Sequence, residues 1–169
     1  MGTPTGIAST PVQTFEGAWR FGRLGRDLVI GDVTGDDVPD LIVGEDGHLF
    51  SRGRVAIHHG NGAGTFGVDP WSELAGEVGG DRLGSGVDLC DTDRDGVLDI
   101  VVAARRHDDR TDTPTVPDVG AVYGWVSEPD GMAEAFAWKL SGRAFNEGSY
   151  DRARTEMGRN VRTGDLDAD

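Results

Sequence analysis

Two stretches of the chain hold apolar residues in unbroken runs rather than in alternation, Leu41-Ile-Val43 and Ile100-Val-Val102. A short uninterrupted run between turn residues is expected of a strand covered on both faces of its sheet. Each run follows an aspartate-rich segment. Before that segment lies another apolar stretch, Leu28–Gly31 or Val87–Cys90, predicted as a strand that ends at the first aspartate. Further on, strands are predicted around Val55 and Val122 and then around Trp71 and Trp138, with Gly60-Asn-Gly-Ala-Gly64 as the hairpin turn in the first unit. An additional outer strand is predicted over Thr14–Trp19.

These elements repeat. Leu24-Gly25 falls on Leu83-Gly84, Asp32 on Asp91, Asp36 on Asp95 and Asp40 on Asp99, all 59 residues apart. Gly53-Arg-Val-Ala-Ile-His-His59 matches Gly120-Ala-Val-Tyr-Gly-Trp-Val126, and Trp71-Ser-Glu-Leu-Ala-Gly76 matches Trp138-Lys-Leu-Ser-Gly142. A third copy opens at Met157-Gly158, and the second period is lengthened by polar insertions at 107–119 and 146–154. Four-stranded antiparallel units repeated about every 60 residues, with middle strands needing cover on both faces, fit β-propeller blades. The expected fold is therefore all-β, a partial propeller of about two complete blades. A β-sandwich competes but does not explain the repeat. The predicted organisation is a tail over 1–13, then an outer strand of a preceding blade with the first repeat over 14–80. The second repeat follows over 81–156, and the truncated start of a third over 157–169.

Composition narrows the functional classes. The net charge of −14 argues against a nucleic-acid partner, which calls for clustered Lys and Arg. No apolar run is long enough to span a bilayer, and residues 1–11 carry no signal-peptide pattern. The lone cysteine, Cys90, excludes an intrachain disulfide and a thiolate zinc site.

The acidic excess is concentrated in Asp91-Thr-Asp93-Arg-Asp95-Gly96-Val97-Leu98-Asp99. Carboxylates at positions 1, 3, 5 and 9, with the position-7 carbonyl of Val97, converge hard oxygen ligands in a number that suits Ca²⁺. Mutual repulsion predicts poor order in an empty loop. The first unit offers Asp32, Thr34, Asp36, Val38 and Asp40 at the same positions, and the third offers Asp165, Asp167 and Asp169 before the sequence stops. An EF-hand requires an acid at position 12, where Val102 and Val43 stand, so that alternative fails.

With Phe21-Gly22, Leu24-Gly25, the Asp32–Asp40 loop and Leu41-Ile-Val-Gly44, the chain resembles the FG-GAP repeats of integrin α-subunit propellers and their bacterial relatives. Glu45-Asp46 depart from the Ala-Pro that usually follows this glycine. In the first loop Thr34 replaces the usual Asp or Asn, and Asp37 replaces the turn glycine. The resemblance implies an extracellular or cell-surface propeller module with structural calcium between the first and second strands. Its expected role is binding, adhesion or scaffolding toward a protein or glycan ligand, without catalysis. A non-catalytic accessory region of a secreted enzyme is the alternative, and a hydrolase using these carboxylates is a third class. Two blades leave open sheet faces, for further blades or an oligomer to cover.

Other signals receive structural readings. Gly62-Ala-Gly-Thr-Phe-Gly67 spells a dinucleotide-loop pattern but precedes a strand, not a helix. His58 and His59 are expected at a surface or edge, pointing to opposite faces. His107 is expected on a solvated charged loop. Trp71 and Trp138 are expected to pack between blades, and Cys90 to fill a small-residue position.

Overall fold

The computed structural model describes residues 2–3, 6–7, 9–17, 19–111, 115–128, 131–142 and 157–164. A short N-terminal pair, β1 (Gly2–Thr3) and β2 (Gly6–Ile7), precedes the first blade. That blade comprises β3 (Leu24–Gly31), β4 (Asp40–Glu45), β5 (Arg54–His58) and β6 (Ser72–Ala75). The second comprises β7 (Leu83–Cys90), β8 (Asp99–Ala104), β9 (Ala121–Trp125) and, after a two-residue pair β10 (Ser127–Glu128) and β11 (Gly131–Met132), β12 (Trp138–Ser141). Each blade is an antiparallel meander in sequence order, as expected of propeller blades.

The registers obey the sequence repeat. Gly31 pairs with Asp40 as Cys90 pairs with Asp99, and Leu28 with Val43 as Val87 with Val102. Every residue of β4 and β8 is buried, which is why neither strand alternates. One apolar cluster joins both sheets, with Ile42, Val55 and Ile57 from the first and Val87, Ile100, Val102 and Tyr123 from the second. On β3, Val29 packs on this cluster while Leu28 and Ile30, on the opposite face, stay more than half exposed.

Successive units dock through close backbone contacts. A Cβ at Gly44 would lie 2.3 Å from the Gly84 carbonyl oxygen, so these two glycines let the sheets approach. Gly25, Gly84 and Gly158 hold φ values of 78°, 81° and 82°, which glycine adopts without steric cost. The parallel bridge Gly53–Leu83 recurs as Gly120–Met157, so the segment at Met157 meets the second blade as β7 meets the first. Asp27 accepts from the Val87 N–H at 3.1 Å, and Asp88 from the Thr163 N–H at 2.6 Å.

The structure corrects several expectations. Residues 13–17 form no strand. Instead the Gln13 side chain exchanges two hydrogen bonds with the Phe66 backbone, at 2.7 and 2.9 Å, and the Phe15 ring lies 4.8 Å from that of His58. His58 is buried, its Nδ1 bonded to the Gly67 carbonyl, because residues 66–67 fold back over β5. The tryptophans pack within their own blades: Trp71 edge-on to His59, and Trp138 over the bare Cα of Gly124. The glycine-rich segment at 62–67 is a turn closed by the Gly60–Phe66 bridge and the Asn61 side chain, followed by β6. Pro114 and the insertion at 146–154 lie outside the described residues.

Candidate metal centre

Each inner hairpin bends through its aspartate loop, and the first aspartate organises the bend. Asp91 Oδ1 accepts from the N–H groups of Arg94 (2.7 Å) and Asp95 (3.2 Å), and Oδ2 from Gly96 (2.9 Å). Asp32 Oδ1 accepts likewise from Thr34, Gly35 and Asp36, and Oδ2 from Asp37 at 2.7 Å. Burial alone would raise the Asp32 carboxyl, yet these N–H donors hold it below the usual carboxylate value. Such closure stabilises the loops independently of a cation, a contribution the repulsion argument omitted.

The ninth residue anchors each loop to the neighbouring strand. Asp99 is 1 % exposed. Its Oδ2 accepts from the Thr92 N–H at 2.8 Å and from the Thr92 hydroxyl, and its Oδ1 from the Ser127 N–H at 2.9 Å. Asp40, equally buried, accepts from Val33 (3.2 Å) and Gly60 (3.0 Å). Reading positions 40 and 99 only as ligands missed this bracing role. The available signal is their place at the head of a fully apolar run, where an unpartnered carboxylate would be costly.

The loops differ in how far their carboxylates converge. Oxygens of Asp91, Asp93 and Asp99 all lie within 4.8 Å of one another, an arrangement able to hold one cation. Asp95 is not in that group; its Oδ1 accepts from the Val97 N–H at 2.8 Å. In the first loop Asp36 is likewise bonded to the Val38 N–H at 2.9 Å, and Thr34 donates its hydroxyl to Asp32 at 3.3 Å. Among the described residues Asp32, Asp36 and Asp40 do not form such a convergent trio. The two loops are neighbours, since a Cβ at Gly35 would meet Val97 at 3.2 Å. Asp165, Asp167 and Asp169 lie outside the described residues.

A second convergence was not foreseen. His107, expected in solvent, is 4 % exposed, with Nδ1 3.3 Å from Asp81 Oδ2, 3.3 Å from the Tyr123 hydroxyl and 3.7 Å from Glu77 Oε2. Within the inserted segment His107, Asp109 and Val119 are buried, and Asp109 pairs with Val116. Arg110 pairs with Asp81 at 3.2 Å and Lys139 with Glu77 at 2.6 Å, so two cations already balance the two carboxylates. Burial would raise both carboxyl groups, but His107 with Arg110, and Lys139 with Tyr123, hold them below their usual values. This network ties residues 77–81 to the second blade. Cys90 is half-buried, and burial, then the charge of Asp99, pushes its thiol up, away from nucleophilic character.

Two stacked antiparallel blades, each with an oxygen-rich loop in its inner hairpin, define a propeller-blade repeat protein. Residues 32–102 match the FG-GAP-like repeat, and the chain is similar to integrin alpha chains. It is 29% identical over 133 residues to integrin alpha-4 of Xenopus laevis, covering 74% of this chain and 12% of that protein. It is 33% identical over 93 residues to integrin alpha-X of Homo sapiens, covering 50% and 8%, and 30% identical over 102 residues to integrin alpha-PS2 of Drosophila melanogaster, covering 59% and 7%. The chain thus spans about a tenth of the length of these relatives.

Proposed function

We propose that this chain is a calcium-stabilised FG-GAP propeller module that serves binding, adhesion or scaffolding outside the cell, with the ion structural and no catalytic role. The observation carrying this reading is the convergence of Asp91, Asp93 and Asp99 at the bend between β7 and β8. Three carboxylates there repel one another, and a hard divalent cation with a flexible oxygen shell relieves that repulsion. The proposed second-loop ligands are Asp91, Asp93, Asp95, Asp99 and the Val97 carbonyl, with Asp95 turning inward when the ion binds. In the first loop Asp32, Thr34, Asp36, Asp40 and the Val38 carbonyl form a weaker site, and Asp165, Asp167 and Asp169 begin a third. The similarity to integrin alpha chains supports an extracellular setting and a protein or glycan partner. Exposed Leu28 and Ile30 support the expectation that further blades or another copy cover that sheet face.

Melting the chain in chelator and in calcium tests the reading. At calcium about 100 times Kd, linkage gives roughly 2.7 kcal/mol, or a rise in Tm of about 5–10 °C. Identical curves in calcium and chelator would remove calcium as a structural element.

A further inference from the structure

Asp46 is one of the two residues that break the family pattern after Gly44, and it is fully buried. Four guanidinium groups surround its carboxylate: Arg23 at 3.0 Å, Arg105 at 3.5 Å, Arg82 at 3.7 Å and Arg26 at 3.9 Å. They come from both blades and gather at the end opposite the aspartate loops. The adjacent Glu45 does not offset them, because it pairs with Arg54 at 2.7 Å and faces His48. One carboxylate among four guanidinium groups leaves a local excess of positive charge in a chain whose net charge is −14.

The hydrogen bonding is incomplete as well. Asp46 Oδ1 and Oδ2, Arg82 Nη1 and Arg105 Nε are all buried without a hydrogen-bond partner. The Asp46 oxygens are met by the guanidinium charges alone, whereas the two buried arginine donors, Arg82 Nη1 and Arg105 Nε, call for an acceptor such as an anion or water. Arg23 and Arg82 occupy equivalent repeat positions, and both hold left-handed backbone, at φ 59° and 61°. That conformation is costly for a residue with a Cβ and is found most often where a site constrains the chain. The Arg23 and Arg26 side chains are 44% and 40% exposed, which leaves the cluster open to solvent on one flank.

We propose that Arg23, Arg26, Arg82 and Arg105, nucleated by Asp46, form a cup for one small tetrahedral oxyanion of the sulfate or phosphate class. Planar guanidinium donors suit such an anion, and Asp46 holds four like charges together until it arrives. The acidic remainder of the surface repels extended polyanions, which favours a single small ion.

The test is calorimetric titration of the full chain with sodium sulfate, with sodium chloride at matched ionic strength as reference and inorganic phosphate in calcium-free buffer as the second anion. Saturable sulfate binding is expected in the wild type and in the Arg106→Gln control, with loss of at least tenfold in affinity in the double variant Arg82→Gln, Arg105→Gln. Asp46→Asn removes the repelling carboxylate and is expected to bind sulfate about tenfold more tightly. A cluster that served only to neutralise Asp46 would bind sulfate in Asp46→Asn but not in the wild type. Should the double variant fail to fold, the wild-type titration with sulfate against chloride still decides. Absence of saturable sulfate heat in the wild type, or unchanged affinity in a folded double variant, overturns the proposal.

Discussion

The first and second aspartate loops follow the same backbone path with different residues. Both turn through left-handed conformations at their fourth and sixth positions, as Gly35 (74°) and Asp37 (63°) in one and Arg94 (67°) and Gly96 (93°) in the other. Both close on the first aspartate and brace the ninth against the next strand. Only the second gathers three carboxylates within 4.8 Å. Folding of the bend and capacity for a cation are therefore separable. Backbone donors to Asp32 and Asp91, with the buried anchors Asp40 and Asp99, specify the loop, while the third position decides how much negative charge faces an ion.

Several substitutions separate these two layers. The largest effect is expected from Asp40→Ala and Asp99→Ala, each of which removes the acceptor of two N–H groups, one of them buried (Val33 and Ser127). Each is expected to cost about 2–4 kcal/mol in chelator and more in calcium, where the ion-linked stabilisation is lost as well, read from denaturant midpoints. If either were neutral in chelator, the bracing role would be wrong. Next, Asp93→Ala is expected to weaken calcium binding at the second loop by about tenfold or more, and Thr34→Asp to strengthen the first by a similar factor. Unchanged affinities would detach the contrast between the loops from their third position.

A pH series tests the network outside both loops. The carboxyl groups of Asp81 and Glu77 are depressed in the folded chain, so their stabilisation is complete above the unfolded value, about 4, and is lost as pH falls through the folded one. Asp81→Asn should therefore lose less stability than the wild type on acidification, measured by urea unfolding. An equally steep acid limb would remove Asp81 from the account. The smallest effect is expected from Asp37→Gly, which relieves a left-handed non-glycine residue for a gain of about 0.5–1 kcal/mol.

The sequence carried what is local or periodic. The uninterrupted apolar runs located β4 and β8, the 59-residue offset gave the matching registers, and the spacing of aspartates located both bends. It did not carry contacts between distant segments. His107 looked solvated because its partners, Asp81 and Tyr123, come from other elements. Thr14–Trp19 looked like a strand, but its described residues, 14–17 and 19, join no sheet, and the segment is held by the Gln13 side chain and the Phe15 ring. Asp46 showed only as a departure from a pattern, since its arginines lie at positions 23, 26, 82 and 105. The convergence of Asp91, Asp93 and Asp99 followed from spacing alone, whereas spacing did not show that Asp95 stands apart from that trio, bonded to the Val97 N–H.

Calorimetric titration of the chelated chain with Ca²⁺, repeated with Mg²⁺, bears most directly on the calcium-held bend. Saturable calcium binding with little response to magnesium is expected, and the tightest site should weaken by about tenfold or more in Asp93→Ala while the fold persists. No calcium heat from the folded wild-type chain, or a tight site undisturbed by Asp93→Ala, would contradict it.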